Sequence, residues 1–377
     1  MNAEVDARRR GGGWDLIVWA GLTWAVVALV AAWLPDSPGL LRRAPWDVWP
    51  LEPLVAVPLV LAAVLYRRGA RASLPSVGRQ AAFLGALAAL ALALQSPISS
   101  MATRSFALDA VAQMLLRTTA PALLVMAQPL GTLARGLPRP EPQPLSRPGR
   151  VGTPSVLLVL RRAAAALAHP VPATALYVGA AYVWAWPPAR DAALLDPLAR
   201  AAMEASFLLS GLAFFAALFD LRPEPVGPTI GTRLLMIWGA ELANILLGYF
   251  LTYTSQPLYP AYAARGLLWG QTPLINQIYG GQTLWLCDTA MIGAAAMLVI
   301  FRWARDEDRL RGARPHPGND PIAWRARQQA SNRRVMLGLL GFVGLIFGVM
   351  GASVVLYEVT YHRGAAHPPA ISVNQLP

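Results

Sequence analysis

Apolar residues in this chain run in stretches of about twenty, separated by shorter segments rich in arginine, proline and glycine. The stretches fall at 14–34, 48–66, 80–96, 108–134, 170–187, 200–219, 232–254, 280–302 and 335–357. About 20 apolar residues in a helix cross the hydrocarbon core of a bilayer, so each stretch is long enough to span one. The pattern predicts an all-α polytopic bundle of about nine transmembrane helices. The first stretch follows "RRRGGG", but its apolar run is too long for a signal peptide and no clean small-residue cleavage site follows it. It reads as a retained span. No internal repeat is visible, which weighs against transporters built from duplicated halves.

Composition sharpens this picture. Of the 377 residues, 55% are hydrophobic and only 14% charged, whereas a soluble domain carries about 25% charged residues. The net charge of +12 comes from 32 basic residues, all arginine. They gather between apolar runs, as positive-inside loops do, and this distribution argues against nucleic acid as a partner. Arg8, Arg9 and Arg10 precede the first span, and "RRGARASLPSVGR" joins the second to the third. Arg135, Arg139, Arg147, Arg150, Arg161 and Arg162 lie between the fourth and fifth, and 302–334 is more arginine-rich still. The opposite connections hold few arginines, offset by Asp36, Asp47, Asp191 and Asp196. This bias predicts a cytoplasmic N-terminus and a periplasmic C-terminus.

The expected organisation is a cytoplasmic segment at 1–13, a transmembrane bundle at 14–302, an arginine-rich cytoplasmic loop at 303–334, a final span at 335–357 and an exposed tail at 358–377. Within the bundle, 136–154 reads as a proline-rich linker and "SVLLVLRRAAAALA" as a short interfacial helix. One cysteine, Cys287, excludes a disulfide framework, and the four histidines show no helical metal-ligand spacing.

The chemistry must therefore come from polar residues inside the spans. Asp109, Gln113 and Arg117 recur every four residues in "LDAVAQMLLR" and are expected on one helix face. With the predicted topology, Asp109 and Gln113 lie near the outer leaflet, with Arg200, Met203 and Glu204 opening the sixth span at the same depth. Trp184 and Trp186 end the fifth span there, and Asn276 and Gln277 open the eighth. Further in lie Arg117, Glu241, Asn244, Cys287 and Asp288. Arg117 must find an acid, because an unpaired guanidinium in lipid costs a few kcal/mol or more. Glu204, Glu241 and Asp288 are the available partners.

Several stretches together resemble a known family. "FALDAVAQMLLRTTAPALLVMAQPLGTLARGLP", "HPVPATALYVGAAYVWAWPPARDAALLD", "ARAAMEASFLLSGLAFF", "LLGYFLTYTSQPLYPAYA" and "PLINQIYGGQTLWL" resemble, in order and spacing, blocks of the caa3-type cytochrome c oxidase assembly factors, the CtaG family, over residues 80–305. The resemblance implies a bacterial inner-membrane protein that serves copper delivery to a cytochrome oxidase, without bond chemistry of its own. It also implies where this chain departs. The family's paired histidines opening the fourth span are here Asp109 and Gln113, and its tryptophan-histidine pair ending the fifth is Trp184 and Ala185. The histidines opening the sixth are Arg200 and Glu204, with Met203 in place of an acid, and the aspartate-glutamine pair before the eighth is Asn276 and Gln277. Carboxylate and amide oxygens suit hard cations, while thioethers suit copper. Any copper is therefore expected at Met203 and Met114.

Three functions fit these residues. The first is assembly of a haem-copper oxidase, with copper held transiently at the outer face. The second is a copper-independent subunit or scaffold of a respiratory complex, in which Asp109, Gln113, Arg117 and Glu204 lock the helices. The third is an ion or proton transporter using Asp109, Arg117, Glu204, Glu241 and Asp288 as a relay. The expected partners are oxidase subunits, or another respiratory complex, and the lipid bilayer.

Overall fold

The computed structural model describes residues 52–137, 169–220, 222 and 227–312, with side chains to residue 305. The expected spans at 14–34 and 335–357, most of the proline-rich linker, the interfacial helix, most of the arginine-rich loop and the tail lie outside the described residues. Within them all regular structure is helical. Eleven α-helices follow in order. These are α1 (Pro53–Ser73), α2 (Val77–Leu94), α3 (Pro97–Ala102), α4 (Phe106–Ala127), α5 (Leu130–Gly136), α6 (Pro170–Ala185), α7 (Pro187–Leu195), α8 (Pro197–Leu218), α9 (Ile230–Tyr253), α10 (Pro260–Ala264) and α11 (Pro273–Gly312). Six of them (α1, α2, α4, α8, α9 and α11) are long and apolar enough to cross a membrane, so this is a multi-pass membrane protein.

Proline sets many of the boundaries. It occupies the first turn of α1, α3, α6, α7, α8 and α10, where its missing N–H is one the helix leaves unpaired anyway. "WPP" splits the fifth apolar stretch in two. Trp186, ahead of a proline, is held extended at φ −64° and ψ 125°, as the proline ring requires of its predecessor. The chain therefore leaves α6 after 16 residues and turns into the short helix α7. Asp196 caps α8 by accepting from the Leu198 and Ala199 amides at 3.1 and 3.2 Å.

Other boundaries differ from the hydropathy pattern. The apolar run at 108–134 is not one helix: Gln128 takes a left-handed conformation at φ 48° and ends α4, and α5 begins after it. The arginines of "RRGAR" extend α1 to Ser73 rather than forming a loop, and α11 runs seven residues ahead of its apolar stretch and continues to Gly312. Charge in a last turn does not stop a helix whose backbone bonds can continue.

The centre of the bundle is α4, whose apolar window is 83% buried against 11% for α1 and 33% for α2. It packs on α2 and α8, and its side chains bond to α9 and α11. Midway, Leu115–Thr119 widens into a π-helical turn with Arg117 inside it. Such turns insert a residue into the i→i+4 ladder and recur at functional positions. Gly211 of α8 lies against this turn, and a Cβ there would stand 2.0 Å from the Arg117 carbonyl oxygen. At the other end of α4, Gly280 of α11 faces the Phe106 ring at 2.2 Å by the same measure. Two glycines thus set how closely α8 and α11 approach the central helix.

Replacing Gly211 by alanine is therefore expected to force α8 off α4. Overpacking of cores costs about 1–3 kcal/mol, and contact with a backbone oxygen belongs at the upper end. Thermal unfolding in mild detergent should show a clear loss for Gly211→Ala. Gly179→Ala, where nothing lies within 4 Å of the added carbon, should leave it unchanged or slightly raised.

Candidate functional site

The polar residues of the spans form two clusters at two levels of α4, the second of them at the π-helical turn. The first surrounds Asp109, in the first turn of α4 and fully buried. Its Oδ2 accepts from Arg190 Nη1 at 2.5 Å, Tyr262 Oη at 2.9 Å and Gln113 Nε2 at 3.0 Å. Its Oδ1 lies 3.0 Å from Arg200 Nη1, an ion pair without hydrogen-bond alignment. Arg200 Nε in turn donates to Glu204 Oε1 at 2.7 Å. Arg190 completes the set: Nη2 donates to Gln113 Oε1 at 3.3 Å, and Nη1 lies 3.9 Å from Met203 Sδ. Its guanidinium also sits over the Phe106 ring at 5.2 Å.

Two carboxylates and two guanidiniums balance to no net charge. That balance permits burial, since an unpaired ion in a low-dielectric interior costs several kcal/mol. Arg190 is wholly buried, whereas the side chains of Arg200 and Glu204 remain 15% and 22% exposed. The network therefore opens outward only through that pair. Tyr262, on α10, has its phenol pushed well above its ordinary range, first by burial and then by the Asp109 charge. It keeps its proton and serves as a permanent donor to the carboxylate.

Asn276 and Gln277 share the level but not the network. The Phe106 amide donates to Asn276 Oδ1 at 3.0 Å, which fixes the start of α4. Gln277 accepts from the Leu258 amide at 2.6 Å and donates to the Leu251 carbonyl at 3.2 Å, clasping the loop after α9. Trp184 Nε1 donates to Ser206 Oγ at 2.8 Å and joins α6 to α8.

The second cluster centres on Arg117. It pairs with Asp288 of α11 rather than Glu204 or Glu241, and donates to Asn244 Oδ1 on α9 at 2.9 Å. Thr118 Oγ1 donates to Asp288 Oδ1 at 2.9 Å and lies 2.9 Å from Tyr177 Oη, whose ring faces the Arg117 guanidinium at 4.5 Å. Glu241 accepts from Thr289 alongside. The expected single stripe of Asp109, Gln113 and Arg117 is thus divided: Asp109 and Gln113 bond to α7, α8 and α10, whereas Arg117, within the widened turn, bonds to α9 and α11.

Of the two residues expected to hold copper, Met203 has its Sδ 3.9 Å from a guanidinium nitrogen, and the polar-network candidates beside it are engaged in the same way at Asp109 Oδ1 and Oδ2, Gln113 Oε1 and Glu204 Oε1. Met203 and Met114 are both buried. Among the described residues, no three histidine, cysteine or acidic side chains group as a metal site. Arg190 and Tyr262 were not among the expected site residues. Arg190 sits in "WPPARD", past the end of the fifth apolar stretch at 187. The available signal was electrostatic: Asp109 and Glu204 together need two cations, and Arg200 supplies one.

Asp109→Asn is expected to lower stability by about 3–5 kcal/mol, the range for breaking a buried pair from one side. Adding Arg190→Met removes the stranded charge and should recover part of that loss. Unfolding midpoints of the two single variants and the double variant, compared as a cycle, measure the coupling.

The sequence model of the cytochrome c oxidase caa3 assembly factor family, Caa3_CtaG, matches residues 56–306. Uncharacterized proteins of Mycobacterium bovis and Mycobacterium tuberculosis are each 24% identical over 283 residues, covering 74% of this chain and 42% of theirs. One of Mycobacterium leprae is 24% identical over 284 residues with the same coverage. The chain thus spans less than half the length of these curated relatives. No solved structure matches.

Proposed function

Because the chain belongs to the cytochrome c oxidase caa3 assembly factor family, we propose that it assists assembly of a haem-copper oxidase as a metal-free helical scaffold in a bacterial inner membrane. The observation that carries this reading is the guanidinium pair at Asp109. A cation approaching that carboxylate meets Arg190 and Arg200 already in place, and Gln113, Met203 and Glu204 are turned to the same two arginines. Carboxylate and amide donors are in any case poor partners for Cu(I). Delivery of copper through Met203 and Met114 is the weaker reading, because the Met203 sulfur faces a cation.

In this reading the arginine distribution puts the Asp109 end at the periplasmic face. Oxidase subunits are the partners there, no bond is made or broken, and the network holds α4, α7, α8 and α10 in one arrangement for docking. The partly exposed Arg200–Glu204 edge and the apolar outer faces of the spans, for example Leu209 and Leu246, would meet protein and lipid respectively.

In a deletion strain, oxidase activity and the content of assembled oxidase in membranes should fall. Wild-type protein and the pair Met203→Leu, Met114→Leu should restore both. Arg190→Met should not, even where immunoblots show it in the membrane at the normal level. Rescue by Arg190→Met together with failure of the methionine variant would instead support copper delivery.

A further inference from the structure

The Arg117 cluster adjoins a line of buried polar atoms that the oxidase role does not use. Helices α9 and α11 run antiparallel and in contact. Glu241 meets Thr289, a Cβ on Gly248 would touch Trp285, a Cβ on Gly281 would touch Thr252, and Gln277 reaches Leu251. Gln282 Oε1 and Trp285 Nε1 of α11 and Asn244 Nδ2 and Glu241 Oε2 of α9 are buried without a hydrogen-bond partner, and Arg117 Nη1 of α4 adds a fifth such atom. Arg117, Asn244 and Gln282 are each more than nine-tenths buried. Residues 282, 285 and 289 share one face of α11, as 241, 244 and 248 share one face of α9. From 282 to 289 the helix rises about 10 Å.

Five unpaired polar atoms from three helices are too many for a dry interface, because each costs about 1–3 kcal/mol when left unmade. Donors and acceptors are mixed along the line, as internal water requires, since a buried water typically takes about three such partners. The upper end lies near Gln277, which also donates to the Gln256 carbonyl at 3.4 Å in a loop whose residues 255–257 are exposed. The lower end is a carboxyl group in mid-span. Among the described residues, the charged groups facing Glu241 are Arg117 of α4 and Asp288 of α11, with Thr289 of α11 and Tyr177 of α6 as polar neighbours. Arg117 is already matched by Asp288, so Glu241 has no counter-charge of its own.

We propose that the α9–α11 interface holds a file of internal water leading from the 255–257 loop to Glu241, and that Glu241 takes up and releases protons through it. On uptake a hydronium ion at the aqueous edge gives up its proton, the file relays it, an O–H bond forms at Glu241 Oε2 and water is left behind. Release reverses the step. Ionisable groups retained within spans are commonly proton or ion sites, and this one has a wet side built of named atoms.

Infrared difference spectroscopy on the full chain in lipid nanodiscs tests the proposal. The carbonyl stretch of a protonated carboxyl, isolated by subtracting Glu241→Gln, is expected to grow and shrink as buffer pH is cycled and to shift on transfer to D2O. Gln282→Leu and Trp285→Phe should slow the D2O shift several-fold. A Glu241 signal that neither titrates nor exchanges would overturn the proposal. Cysteine reactivity gives an independent reading in a Cys287→Ala background. Gln282→Cys should react with a small cationic methanethiosulfonate, while Leu246→Cys, on the outer face of α9, should not. No reaction at position 282 in folded protein would also overturn it.

Discussion

A carboxylate with no exposed surface, held between two arginines, constrains everything around it. Asp109 can remain charged at 0% exposure only if Arg190 and Arg200 are delivered to its two oxygens, and they come from different helices. Arg190 reaches it because the double proline after Trp186 breaks the fifth apolar stretch and turns α7 back over the bundle end. Arg200 reaches it because Asp196 caps α8 within one turn of that position. Tyr262 requires the loop after α9 to fold inward, where Gln277 clasps it. One buried charge thus ties four helices and a loop into a single arrangement, and removing any partner strands the others in a low-dielectric interior.

The second level of the bundle obeys a different constraint. The π-helical turn at Leu115–Thr119 carries Arg117, and Gly211 lets α8 close on the widened turn. The guanidinium bonds to Asp288 of α11 and Asn244 of α9. Two separate ionic sets, each near neutrality, result from one helix. In the upper set each charge has an oppositely charged partner, whereas in the lower set Arg117 is matched by Asp288 and Glu241 has no such partner of its own among the described residues.

Much of this was legible in the residues. Twenty-residue apolar runs specify membrane helices by length alone, and the cost of charge in lipid marks Asp109, Arg117, Glu204 and Asp288 as members of some network. The identity of partners was not legible. Four-residue spacing predicts one face for Asp109 and Arg117, and a π turn is a tertiary outcome that spacing does not encode. Arg190 was hidden because a residue after two prolines at a span end looks interfacial, whereas here it is wholly buried. Asn276 and Gln277 open α11 as expected, but their side chains serve backbone amides and carbonyls rather than the Asp109 network. A short polar side chain at a helix start has backbone groups nearer to hand than any distant carboxylate.

The chain belongs to the oxidase assembly family, and the proposal that it acts there without a metal rests on the arginines around Asp109. The carboxylates of Asp109 and Glu204 are held in ion pairs with Arg190 and Arg200. The most direct test is titration of the purified full-length protein with Cu(I) against a competing chelator, with Met203→Ala in parallel. The account predicts no binding above a detergent control for either protein. Stoichiometric binding that survives competition and is weakened by Met203→Ala would contradict it.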